Sequence, residues 1–133
     1  MEKQEKEKLI AAWFAASEED LGTAIELLTL KRYSACLFFC HLSLEKILKA
    51  VFLKRNDNYP PPIHNLLRLA KLSSLPLSHD EQIWLVEITT FNVEARYDIL
   101  KEALYKKADE TYTKNYIDKT KLLINTFKKN YDK

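Results

Sequence analysis

The sequence predicts an all-α protein, an antiparallel up-down bundle of four long helices and a short one, in a single domain spanning residues 1–133. Three observations carry this reading. Glycine occurs once and proline four times, at Pro60, Pro61, Pro62 and Pro76, which leaves too few turn formers for a multi-stranded protein. The run YSACLFFCHLSLEKILKAVFL from Tyr33 to Leu53 is apolar around nearly its whole circumference, as a helix buried on several sides must be. On either side of it, apolar residues recur at three-to-four spacing.

The first helix is expected from about Lys6 to Leu30, where Leu9, Trp13, Ala16, Ala24 and Leu27 form one stripe. Asp20 shares that stripe, and a carboxylate turned toward a core needs a partner. The second helix is the central apolar run, ending near Asn56 because the prolines after Tyr59 lack donors and restrict their predecessors. Its ionisable residues His41, Glu45 and Lys49 fall on one line at intervals of one turn. With Lys46 they argue against a membrane span, where such groups are costly. A short third helix follows, from about Ile63 to Leu72. Ser78 and Glu81 form an S-x-x-E capping box and open a fourth helix, whose Trp84, Ile88, Phe91 and Ala95 share a face and which runs to about Ala95. The stretch Asp98 to Tyr112 reads as a short helix plus loop. Thr113 is expected to cap a last helix carrying Tyr116, Ile117, Thr120, Leu123, Ile124, Phe127 and Tyr131. Short connections between such helices favour the up-down arrangement.

The net charge of +2 conceals an asymmetry: residues 1–30 hold seven acids against three bases, and the remainder eighteen bases against twelve acids. Lys31, Arg32, Lys46, Lys49, Lys54 and Arg55 gather along or beside the central helix, which makes phosphate a candidate partner. The C-terminal lysines alternate with Asp109, Glu110, Asp118 and Asp132 and read as a solvated surface. Cys36 and Cys40 lie one turn apart, no apolar leader precedes them, and Met1 to Lys8 is nearly all charge, which together suggest a cytoplasmic chain with reduced thiols. With His41 they lack the loop geometry and fourth ligand that zinc prefers, so neither a metal nor another cofactor is expected.

Trp13, Ala16, Asp20-Leu21, Ala24, Tyr33 and Ala35, then Glu45-Lys46-x-Leu48-Lys49-Ala50, His64-x-Leu66, Arg96-Tyr97 and Tyr112 resemble, in order and spacing over nearly the whole chain, the HEPN domain, the nucleotide-binding domain shared by higher eukaryotes and prokaryotes. The resemblance implies an antiparallel helical bundle, commonly homodimeric. For the stand-alone prokaryotic type it also implies a minimal nucleotidyltransferase as partner, often in a toxin–antitoxin-like pair, and binding of nucleotides or RNA. Many members resemble one another further as metal-independent ribonucleases that use an Arg followed a few residues later by a His, a pair that stabilises phosphate charge and moves a proton. Here the Arg would be Arg96, but Lys101, Glu102 and Ala103 occupy the places where that His would fall.

The candidate ligand-binding residues are Arg96, Tyr97, Lys49, His64, Glu45 and Asp20; no catalytic residue and no metal ligand is assigned. Arg96-Tyr97-Asp98 sets a guanidinium fork beside a phenol and a carboxylate, suited to gripping phosphate or stacking on a base. The plainer alternatives are an Arg96 ion pair with Asp20 or Glu45, and a Glu45–Lys49 pair along the helix. His64 opens the short helix after the proline loop, where it would either flank an anion site of backbone donors or cap the helix and hold the loop. His79, at the start of the fourth helix, reads as solvated. Trp13, Phe38, Phe39, Phe52, Trp84 and Phe91 read as core or dimer surface. Three functions follow as expectations: a noncatalytic nucleotide- or RNA-binding module acting with a minimal nucleotidyltransferase, a metal-independent ribonuclease toxin, or a purely structural dimerisation module. The homodimer is expected through excess apolar surface on the central helix and its neighbours.

Overall fold

A computed structural model describes residues 1–92 and 99–131. Its elements, in chain order, are α1 (Lys3–Thr29), α2 (Tyr33–Asn56), α3 (Leu66–Leu72), α4 (His79–Thr89), α5 (Ile99–Lys107) and α6 (Glu110–Lys129), with no strand among the described residues. The all-α bundle is therefore as the sequence predicts. Its proportions differ: α1, α2 and α6 are long, at 27, 24 and 20 residues, whereas α4 has 11.

With a single glycine, at Gly22 inside α1, the sharp helix ends are made by other residues. After α1, Lys31 takes φ 60°, and the N–H groups of Lys31 and Arg32 donate to the carbonyls of Leu28 and Leu27 at 3.0 and 2.8 Å. After α3, Ser74 takes φ 55°, and Ser74 and Leu75 donate to Lys71 and Ala70 at 3.0 and 3.1 Å. Both are the paired bonds of a Schellman end, so the scarcity of glycine does not prevent compact reversals.

Helix α2 is the axis, in contact with α1, α3, α4, α5 and α6. Leu37, Leu44, Ile47, Leu48, Val51 and Leu53 are fully buried on it. Its closest neighbour is α1, and small side chains allow the approach: Ser17 Oγ donates to the Ser43 carbonyl and Ser43 Oγ to the Ser17 carbonyl, each at 2.8 Å. Because five helices cover it, α2 contributes none of the exposed large apolar side chains among the described residues. The expected excess of apolar surface is thus not on the central helix; exposed apolar residues occur instead on α3 and α4, as Leu72, Ile83 and Val86.

Three expected boundaries are corrected. Helix α3 begins at Leu66 rather than Ile63, since Asn65 is its cap and accepts from the Arg68 N–H at 3.1 Å. Helix α6 begins at Glu110, capped by Asp109, whose carboxylate accepts from the Tyr112 N–H at 2.8 Å; Thr113 lies within the helix and is fully buried. Helix α4 ends at Thr89, where the Thr90 hydroxyl turns back to the Glu87 carbonyl at 2.6 Å, a local bond that competes with helix continuation. Of the expected extension, residues 93–95 lie outside the described residues. The capping box is present as expected: Ser78 Oγ accepts from the Glu81 N–H at 3.1 Å and the Glu81 carboxylate from the Ser78 N–H at 2.9 Å.

Arg55, at the end of α2, ties three helix ends together. Its guanidinium donates to the carbonyls of Ser73 and Ser74 at 3.1 and 2.8 Å and to that of Asn130 at 2.5 Å. Ser73 and Asn130 are the C-caps of α3 and α6, so one cation meets the negative ends of two helix dipoles. No helix among the described residues is long and apolar enough to cross a membrane.

Candidate functional site

The helical line His41, Glu45, Lys49 forms one connected polar cluster, and the loop before α3 completes it. Glu45 is 7% exposed. Its Oε2 accepts from Lys49 Nζ at 3.1 Å, the i,i+4 pair that helical geometry favours. Its Oε1 lies 2.7 Å from His64 Nδ1. A buried carboxylate accepts, so Nδ1 carries a proton and donates it to Glu45. That ring belongs to a side chain 62% exposed.

His41 holds the same loop by its backbone. Fully buried, it donates from Nε2 to the His64 carbonyl at 3.0 Å, with Glu45 Oε1 at 3.8 Å. Its Nδ1 is buried and has no hydrogen-bond partner among the described residues. Burial pushes the His41 imidazole below its ordinary value, against smaller contributions from the His64 carbonyl and Glu45, so the ring is neutral. For Glu45, burial acts to raise the carboxyl, but hydrogen bonds from His64 and Lys49 outweigh it and hold the group below its usual value. The result is an ionised carboxylate and a neutral buried imidazole fixing one exposed imidazole at two points, ring and backbone.

Lys49 is an internal counter-ion: its side chain is 12% exposed and lies over the Trp13 ring at 5.6 Å. Asp20 has a different partner, Lys46 Nζ, 2.5 Å from Oδ2 in an ion pair that lies off the hydrogen-bonding direction. Glu45 and Lys46 adjoin in sequence but point about 100° apart around α2, which separates the Asp20 pair from the His64 cluster. The expected basic patch beside α2 is therefore largely spent: Lys46 on Asp20, Lys49 on Glu45, Arg55 on carbonyls and Lys54 over the Tyr131 ring at 5.7 Å.

Of the six candidate residues, the structure brings together Glu45, Lys49 and His64 and places Asp20 apart from them. Arg96 and Tyr97 lie outside the described residues, as does Asp98. His64 does not cap α3, which is the task of Asn65, and the Leu66 N–H is bonded to Thr89 Oγ1 at 3.1 Å. Two of the backbone donors at this helix end, those of Leu66 and Arg68, are thus taken by side chains. His79 is exposed, as expected, and among the expected core aromatics Phe91 is fully buried while Trp13, Phe38, Phe39, Phe52 and Trp84 are half-buried.

Sequence reasoning left His41 out of the candidate site, although its place on the Glu45 line was the available signal. It also missed a second network, in which Glu87 meets Lys107 at 2.6 Å and accepts a short hydrogen bond from the Tyr112 hydroxyl. Phe91, Tyr112 and Tyr116 pack around it edge to face or tilted. Burial, then the bond to Glu87, push the Tyr112 phenol far above its ordinary range, which leaves it a permanent donor with a structural task.

A family model for the HEPN domain matches residues 10–131. The crystal structure of TT1696 from Thermus thermophilus is similar in fold at a TM-score of 0.73 and 17% identity, over 90% of this chain and 96% of that one. Comparison with curated proteins gives no match.

Proposed function

From the premise that this chain belongs to the HEPN domain family, we propose that it is a noncatalytic nucleotide- or RNA-binding module of the cytoplasm that contacts phosphate through His64. One observation carries this reading: Glu45 Oε1 fixes His64 Nδ1 at 2.7 Å on a side chain 62% exposed, so the ring is oriented before any ligand arrives. Preorganisation of this kind lowers the ordering cost of binding, and an imidazole can neutralise phosphate when it takes up a second proton. Lys49 and Glu45 serve as supports. A minimal nucleotidyltransferase as partner, a toxin–antitoxin-like pairing and a homodimer belong to the same proposal and rest on the sequence resemblance.

The experiment is an NMR titration of the histidine ring protons with AMP, ATP and a short single-stranded RNA. Saturable shifts at His64, little change at His79, and loss of binding in a folded His64→Ala variant are expected. Binding that persists unchanged in His64→Ala sinks the assignment.

A metal-independent ribonuclease is the second reading, and the same dyad favours it, since a carboxylate-oriented imidazole is suited to moving a proton. It lacks a His after Arg96 in sequence. Incubation of a structured RNA with purified protein in EDTA separates the two: intact RNA is expected, whereas cleavage lost on His64→Ala would establish the enzyme.

A further inference from the structure

Helix α4 has more apolar residues than the core uses. Leu85 and Ile88 are buried against the bundle, yet Ile83 and Val86 on the opposite side are 50% and 54% exposed, and Leu72 at the end of α3 is 41% exposed. Two hollows adjoin across these residues. One, of about 380 Å³, is bounded by Leu67, Ile83, Val86 and Tyr116 among others, the second, of about 340 Å³, by Leu67, Arg68, Lys71 and Leu72. Leu67 is common to both, so the apolar surface runs continuously from α3 over α4 to the edge of α6. Concentrated apolar exposure of this kind marks an interaction site more often than scattered single residues do.

The wall of the second hollow carries two cations, Arg68 and Lys71. Arg68 and Lys71 are exposed and enter no ion pair among the described residues. The carboxylate on the opposite wall, Glu87, is engaged by Lys107 and Tyr112. The hollows therefore present apolar floors beside two uncompensated cations. We infer that the outer face of α3 and α4 is a docking surface for an amphipathic helix of a partner protein that carries carboxylates beside its apolar stripe.

The form of the occupant follows from the surface. The described residues offer no strand edge to pair with, so the incoming segment must satisfy its own backbone hydrogen bonds, as a helix laid in a groove does. Its acidic flank follows from Arg68 and Lys71. A second copy placed face to face would bring the same two cations from both chains into one isologous interface, which is electrostatically unfavourable. RNA would use the cations but gain nothing from Ile83 and Val86. Asn65, next to His64, also borders the second hollow, but none of the residues that carry this inference belongs to the His64 cluster.

The test uses two fluorescein-labelled, side-chain-stapled helical peptides with leucine at three-to-four spacing, one with glutamates flanking the stripe and the other with lysines in their place. Anisotropy titrations should show the glutamate peptide binding about tenfold tighter than the lysine peptide. Ile83→Asp and, separately, Arg68→Glu should each weaken it by about the same factor, with helical circular dichroism and melting temperature unchanged. Equal affinity for the two peptides, binding by neither, or indifference to both substitutions overturns the proposal. So does sedimentation showing self-association that Ile83→Asp abolishes, because the occupant would then be a second copy.

Discussion

Glu45 and His64 are nineteen residues apart in the chain and meet at 2.7 Å, a buried carboxylate against an exposed imidazole. The same carboxylate holds Lys49 at 3.1 Å. Glu45→Ala therefore leaves a largely buried lysine without its counter-ion and releases the His64 ring. A loss of about 3 kcal/mol is expected, in line with breaking a buried ion pair, with Glu45→Gln milder because its amide oxygen can still accept. Urea unfolding measures both. The His64 ring-proton signals should also move toward those of a solvated imidazole in Glu45→Ala alone.

Stability should fall in two stages as the pH is lowered. Burial depresses the His41 imidazole, so relative to its ordinary value of 6.5 the unfolded chain takes up the proton first. Stability is then complete above that value and declines below it. Glu45 is also depressed in the fold, so its contribution is present above the ordinary carboxyl value of 4.5 and is lost as the pH drops through the lower, folded value. Melting temperatures recorded from neutral to acid pH should show the first decline in the parent protein and its removal in His41→Gln.

Arg55→Ala removes a cation bonded to three carbonyls on two other helix ends. Hydrogen bonds to charged groups contribute about 1.5–3 kcal/mol each, but these share one side chain and two of them are to adjacent carbonyls, so a combined loss of about 3 kcal/mol is expected. Arg55→Lys should recover only part of it, since an ammonium cannot span the two directions of a guanidinium fork. Denaturant midpoints for the two variants decide this.

Gly22 sits in mid-α1 on the exposed side, and a Cβ there would meet nothing within 4 Å. Gly22→Ala should stabilise the protein by about 0.5–1 kcal/mol through helix propensity and a less flexible unfolded chain. A rise in melting temperature without any change in the His64 ring-proton signals is the expected result.

Ser17 and Ser43 each donate to the other's carbonyl at 2.8 Å where α1 and α2 touch. Ser43→Val enlarges the side chain at that contact and should cost about 1–3 kcal/mol by overpacking. Replacing both serines by alanine removes the two donors together and leaves no hydroxyl unpaired, so the double variant should be close to neutral. A double-mutant cycle from thermal unfolding checks the contrast.

The sequence by itself determined what repeats along a helix: the all-α class, the limits of α2, the capping box of Ser78 and Glu81, and the His41, Glu45, Lys49 line, all of which follow from spacings of three and four. The Arg96–Tyr97 part of the candidate site falls outside the described residues. Apart from the Glu45–Lys49 pair along α2, tertiary structure alone decided which opposite charges meet. Asp20 found Lys46, Lys49 turned inward, Arg55 reached carbonyls on α3 and α6, and His64 swung from its loop to Glu45. Periodicity gives the face on which a side chain lies, but an ion pair between elements depends on how each helix is rotated and where a loop returns, and a chain of letters carries those angles only through the packing of the whole core.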